Sequence, residues 1–122
     1  MGNAMARVAL AVKEADADGM GSWSYQHPGT GSGNGFSLAY DATRRTIVHC
    51  YNNSGGDETI TILTPGTVDG NAIAERTIVI ATGQWDEFSV SRYVYMQSDG
   101  DVYIDFAVGG ANVSCIGVKV PY

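Results

Sequence analysis

Between Thr59 and Ile80 the chain reads TITILTPGTVDGNAIAERTIVI, two segments of residue-by-residue alternation around a connector rich in turn formers. Ile60 and Ile62 alternate with threonines, and Ile78 and Ile80 alternate with Thr77 and Val79. A period of two is the pattern of a strand with one buried face, and it does not fit the 3.6-residue repeat of an amphipathic helix. Within the connector, Pro65-Gly66 and Asp69-Gly70 mark turns, because proline presets φ and glycine accepts positive φ. A chain patterned this way has to bury alternate side chains between sheets.

Similar segments recur along the chain. Arg7 to Lys13 reads as a first strand or an arm, with Val8, Leu10 and Val12 on one side. Gly35 to Tyr40, Thr46 to Asn52 and Glu58 to Thr64 are short strands, the last two joined by an expected hairpin turn at Asn53-Ser54-Gly55-Gly56-Asp57. Arg76 to Ala81 and Gln84 to Val90 form a further expected hairpin about Thr82-Gly83. Ser98-Asp99-Gly100 introduces Asp101 to Ala107, with Val102, Ile104 and Phe106 inward. In Asn112 to Val120 the alternation slips: Val113 and Cys115 share one face, whereas Ile116, Val118 and Val120 share the other. That slip implies a bulge near Gly117 or a strand buried on both faces.

No segment carries a helical period. The expected fold is all-β: a single antiparallel β-sandwich or jelly roll of seven to eight short strands over residues 36–122. Residues 1–35 are expected as a flexible N-terminal arm followed by a glycine-rich segment. In that segment Trp23, Tyr25 and His27 alternate, which fits a short edge strand or a contact surface, and aromatics flanked by glycines favour the contact surface.

At 122 residues the chain is one domain, long enough to bury roughly two-thirds of its unfolded surface. Its formal net charge of -6 and seven basic residues argue against direct nucleic-acid binding, which needs clustered Lys and Arg. No stretch approaches the roughly 18 apolar residues of a membrane span, and Met1 to Asp16 lacks the apolar run of a secretory signal. Synthesis in a cytoplasm is the expectation. Cys50 and Cys115 stand singly in apolar segments and read as buried free thiols; a disulfide would require their strands to be neighbours in an oxidising setting.

Candidate chemistry is sparse. Asp16-Ala17-Asp18-Gly19 and Asp99-Gly100-Asp101 resemble pieces of calcium loops but lack the spaced oxygens and bidentate glutamate, so turn aspartates explain them. Gly29 to Gly35 has no Lys-Ser/Thr for a phosphate cradle. Asp86 and Glu87 are adjacent on a strand, so they diverge and cannot flank one glycosidic bond, and for the same reason His49 cannot activate Cys50. No enzyme activity, metal or cofactor is expected.

The segments RRTIVHCYNNSG (Arg44 to Gly55), TPGTVDG, RTIVI and DGDVYIDF (Asp99 to Phe106) together resemble a group of small β-rich proteins of tailed bacteriophages and prophages, encoded among head genes. The resemblance covers about residues 44 to 106 and implies Val48 and Cys50 inward with His49 and Tyr51 outward. It implies a non-enzymatic virion protein, foremost a head decoration or cement protein that binds and stabilises the major capsid lattice, commonly as a trimer. The expected location is the capsid surface after synthesis in the host cytoplasm. Capsid contacts are then expected from Arg7, Val8, Leu10, Val12, Trp23, Tyr25 and His27. The alternative is a glycan-binding module of a fibre or spike, stacking sugars on Trp23, Tyr25, Trp85, Tyr93 and Tyr95; a neck or tail component is a further option.

Overall fold

The computed structural model describes residues 7–15, 24–30, 34–65, 67–68, 71–72 and 75–121. Trp23, the Asp16-to-Gly19 run and both connector glycines, Gly66 and Gly70, lie outside the described residues. The strands are β1 (Val8–Ala9), β2 (Val12–Glu14), β3 (Phe36–Ala39), β4 (Arg44–Asn52), β5 (Glu58–Ile62), β6 (Thr67–Val68), β7 (Asn71–Ala72), β8 (Arg76–Ile80), β9 (Trp85–Ser89), β10 (Asp101–Phe106) and β11 (Val113–Pro121). Helix is confined, among the described residues, to 3-10 turns at Tyr93–Tyr95 and Gly110–Asn112.

Two sheets form the body, ordered β1-β3-β10-β5-β8 and β2-β11-β4-β9, with β6 and β7 as a small separate hairpin. Their pairings nest. β5 pairs with β8, β4 with β9 and β3 with β10, all antiparallel and alternating between the sheets like successive segments of one long hairpin, whereas β2 joins β11 in parallel outside that ribbon. Pairing of β10 with β5 and of β11 with β4 closes the roll. A two-stranded ribbon wrapped over itself into two facing sheets is a jelly roll.

The alternation places the core where it was expected. Val48, Cys50, Ile60, Ile62, Val102, Ile104 and Phe106 are fully buried, and Phe36 meets Phe106 edge-on at 5.6 Å. Glu58 is buried with them. Its two carboxylate oxygens accept the backbone N–H groups of Val108 (2.9 Å) and Gly109 (2.8 Å), so the charge is solvated by amides in place of water. Gly109 has φ +68, a conformation that a side chain disfavours, which presents the second amide.

Two expected hairpins are instead corners between the sheets. Asn53 to Asp57 carries the chain from β4 in the four-stranded sheet to β5 in the five-stranded one, and Thr82-Gly83 carries it back from β8 to β9. Asn52 is the physical reason. Fully buried at the end of β4, it donates from Nδ2 to the carbonyls of Gly56 (2.9 Å) and Ile80 (2.8 Å) and accepts from Ser54 N–H (2.9 Å). Its backbone completes the clamp, with Gly83 N–H donating to Asn52 O (2.6 Å) and Asn52 N–H to Gln84 O (3.0 Å). The two corners are thereby held against each other, and neither strand folds back within its own sheet.

The N-terminal segment also departs from expectation, because its described part is built into the sandwich. β1 lies parallel to β3, Leu10 turns into the core at 5% exposure, and β2 then lies parallel to β11 in the other sheet. The sheets are therefore mixed, not purely antiparallel. Gln26 fixes this crossover: its Oε1 accepts Ala11 N–H (2.6 Å), its Nε2 donates to Ala9 O (2.9 Å), and its backbone exchanges two hydrogen bonds with Cys115. The segment covers the β3 and β11 edges, which otherwise present unpaired backbone groups.

Gly117 permits the close approach of β2. A Cβ there would stand 2.9 Å from Val12 Cγ2 and 3.1 Å from Ala11 O. The β4–β11 register advances residue for residue from Val113↔Asn52 to Pro121↔Arg44, so no bulge interrupts it. Cys115, Ile116 and Gly117 are buried in succession, and the slipped alternation reflects burial on both faces.

Candidate functional site

Inward burial of Val48, Cys50 and Phe88 turns His49 and Tyr51 of β4, and Trp85 and Glu87 of β9, onto the outer face of the four-stranded sheet. The register sets His49 opposite Glu87 and Tyr51 opposite Trp85. The Trp85 ring lies 4.6 Å from the His49 ring and 4.5 Å from Tyr51, tilted by 34° and 37°. Tyr25, beside the Gln26 bridge, joins from across the sheet at 5.9 Å from Trp85. Four rings from three separate segments make one shelf. Trp85 is 49% exposed and Tyr25 39%, so the shelf is open to a partner.

His49 Nδ1–H donates to Glu87 Oε2 at 2.7 Å, which orients the imidazole beneath the indole. Asp86 falls on the opposite side of β9, opposite Cys50, so the neighbouring carboxylates diverge. Large rings on a rigid sheet supply contact area with little ordering entropy, and tilted faces of this kind suit both protein docking and stacking on a sugar ring.

The other candidate residues are dispersed. Arg7 is committed on the opposite sheet: its Nη1 donates to Asp105 Oδ1 (2.5 Å) and to Ile104 O (3.4 Å), and its guanidinium lies 4.5 Å from the Tyr103 ring centre. Leu10 is a core residue, and Val8 and Val12 are half-buried against the core. Arg7 and Leu10 are thus engaged within the sandwich, while Val8 and Val12 keep part of their surface exposed. His27 is exposed, with its Nδ1–H donating to Val113 O at 2.8 Å.

The stacking set is corrected in the same way. Tyr95 is 5% exposed and packs in the core, because the 3-10 turn aims it inward. Tyr93 is 68% exposed but follows the opposite end of β9 from Trp85, where it contacts Tyr40 edge-on at 6.3 Å. His49 and Tyr51 take their places in the shelf. Their outward orientation was legible, and their meeting with Trp85 depended on the β4–β9 register.

Asp99 serves as a turn aspartate. It accepts Asp101 N–H (3.0 Å) and the Tyr103 hydroxyl, bonds that hold its carboxyl below the usual range, the tyrosine contributing most. Among the described residues no group of His, Cys, Asp and Glu is placed to hold a metal ion, and no helix is long and apolar enough to cross a membrane. No known protein family, curated protein or solved structure matches the chain.

Proposed function

We propose that the protein is a non-enzymatic structural component of a bacteriophage virion, a head decoration protein that binds and stabilises the major capsid lattice through its aromatic shelf. The observation that carries this reading is the cluster of Tyr25, His49, Tyr51 and Trp85 on the outer face of a rigid sheet. The resemblance to phage head-region proteins supports it, since residues 44–106 supply β4 to β10, the greater part of both sheets. A small jelly roll bridging capsid subunits adds buried area that opposes internal DNA pressure. Docking moves from the N-terminal segment to the shelf because Arg7 and Leu10 are already engaged in the sandwich. Trimeric association at a symmetry axis, and location on the capsid exterior, belong to the same proposal.

Mixing the protein with undecorated expanded heads and counting bound copies tests it. Trp85→Ala should weaken binding by on the order of 2 kcal/mol with circular dichroism unchanged. Full occupancy by that variant would remove the shelf from the interface, and failure of the wild type to coat heads would remove decoration itself. The exposed Trp85 and Tyr25 faces favour one second reading, a glycan-binding module of a fibre or spike. Retention on a polysaccharide column that is lost in Trp85→Ala, with no binding to heads, would establish that reading in place of decoration.

A further inference from the structure

Cys50 of β4 and Cys115 of β11 are register partners, and both are fully buried free thiols. Directly opposed residues of an antiparallel pair either exchange two backbone hydrogen bonds or exchange none, and the latter kind brings the Cα atoms closer, to about 4.5 Å. Cys115 N–H donates to Gln26 O at 2.8 Å, and Cys115 O accepts Gln26 N–H at 2.9 Å. Both of its backbone groups therefore point away from β4. The cysteines form a non-hydrogen-bonded pair with side chains on the same inward face, at a separation inside the roughly 4.4–6.8 Å span of disulfides.

We propose that Cys50 and Cys115 are a latent redox staple, which closes into an intramolecular disulfide when the protein passes from reducing to oxidising surroundings and locks β4 to β11. The inference stands apart from whatever the shelf binds. With oxidised glutathione as oxidant, one cysteine thiolate attacks a glutathione sulfur and displaces one glutathione thiolate, leaving a mixed disulfide. The second cysteine thiolate attacks the protein sulfur of that mixed disulfide and displaces the other glutathione. Overall the S–S bond of oxidised glutathione is broken and the Cys50–Cys115 S–S bond is formed, two electrons pass to the oxidant, and the two cysteine protons end on the two released thiols.

The closed seam holds this reaction back. Burial, and then the neighbouring Cys115 thiol, push the Cys50 thiol well above its ordinary range, so thiolate is scarce until the sheet opens. Opening is easiest at the outer edge of β11, where the described partners are the Gln26 bridge and the three-residue β2. Oxidation should therefore accelerate in urea too dilute to unfold the protein. Once formed, the bond closes the chain from residue 50 to residue 115 and restricts the unfolded ensemble.

The test incubates wild-type protein with excess oxidised glutathione in sub-denaturing urea, then unfolds it, alkylates free thiols and measures mass. The expected product is a monomer lighter by two hydrogens, with no alkylation, a Cys50–Cys115 linked peptide and a Tm higher by on the order of ten degrees. Dithiothreitol should reverse all of these, and Cys115→Ala should show neither the mass change nor the Tm rise. Because the wild type carries the measurement, poor folding of the variant does not obscure it. Two alkylated thiols, stable glutathione adducts or only intermolecular disulfides would overturn the proposal, as would an intramolecular bond that lowers Tm.

Discussion

The two sheets share one core and present unlike surfaces. Outside the five-stranded sheet stand Ser37, Thr59, Thr61, Thr77, Tyr103 and Asp105, and Arg7 closes part of that face by pairing with Asp105 and covering Tyr103. Outside the four-stranded sheet stand His49, Tyr51 and Trp85, with Tyr25 laid across. Inward positions are constrained by packing on both sides, so the outward residues are where the sheets diverge. One face is mostly polar, with Val79 its exposed apolar residue, while the other leaves its largest rings accessible.

The strongest challenge to this contrast removes the shared core. Ile104→Ala deletes a fully buried side chain opposite Ile62, and should lower stability by about 2–5 kcal/mol in chemical denaturation. Any loss of binding should then track the unfolded fraction, and a folded Ile104→Ala protein that no longer binds would show that the faces are not separable from the core. On the polar face, Asp105→Asn leaves the Arg7 guanidinium, 12% exposed, without its charged partner. It should cost about 2–3 kcal/mol of stability while leaving shelf binding intact, since the pair lies on the other sheet.

On the aromatic face the balance is reversed. Trp85→Ala removes a half-exposed ring and should change stability by about 1 kcal/mol or less, while shifting the chemical shifts of His49 and Tyr51. A large drop in melting temperature would make the shelf a structural feature and not a binding one. The smallest effect is expected at Asp41, which joins the β3–β4 turn to β11 through Lys119 (3.2 Å). Hydrogen bonds from Thr43, then Lys119, lower its carboxyl to about 2. A folded-state value below the unfolded one stabilises above the ordinary carboxylate range, and that contribution is lost as pH falls from about 4 towards 2. Titration of Asp41 followed by NMR should give a midpoint near that value, and Thr43→Ala should raise it.

The strands were legible because burial of every second residue leaves a period that no turn chemistry disguises, as in Ile60-Thr61-Ile62 and Val102-Tyr103-Ile104. Sheet membership was not. Asn53 to Asp57 has the same polar and glycine composition whether the chain turns back within a sheet or crosses to the other, and the choice rests on four hydrogen bonds of the Asn52 side chain, one of them from the Ser54 hydroxyl, together with its two backbone bonds, which sequence periodicity does not register. The parallel N-terminal strands escaped for a related reason, since Val8-Ala9 and Val12-Lys13-Glu14 are too short to show direction and are held by Gln26 from outside their own pattern. Of the shelf, the outward positions of His49 and Tyr51 were readable, whereas their convergence with Tyr25 and Trp85 required a register that only the folded corners set.

The nesting of the ribbon imposes an order on synthesis. The innermost pair, β5 with β8, can form as soon as both strands have left the ribosome, because few residues separate them. Each further pair encloses the one before, and the four-stranded sheet waits longest: β11 lies between β2 and β4 and is the last of the described strands to emerge. Until it arrives, β4 has only β9 beside it, and the backbone groups on its β11 side stand unpaired. A nascent chain paused before Val113 therefore holds every strand of the five-stranded sheet but only the β4–β9 pair of the other, and that open sheet is a hazard for aggregation until β11 slides between β2 and β4.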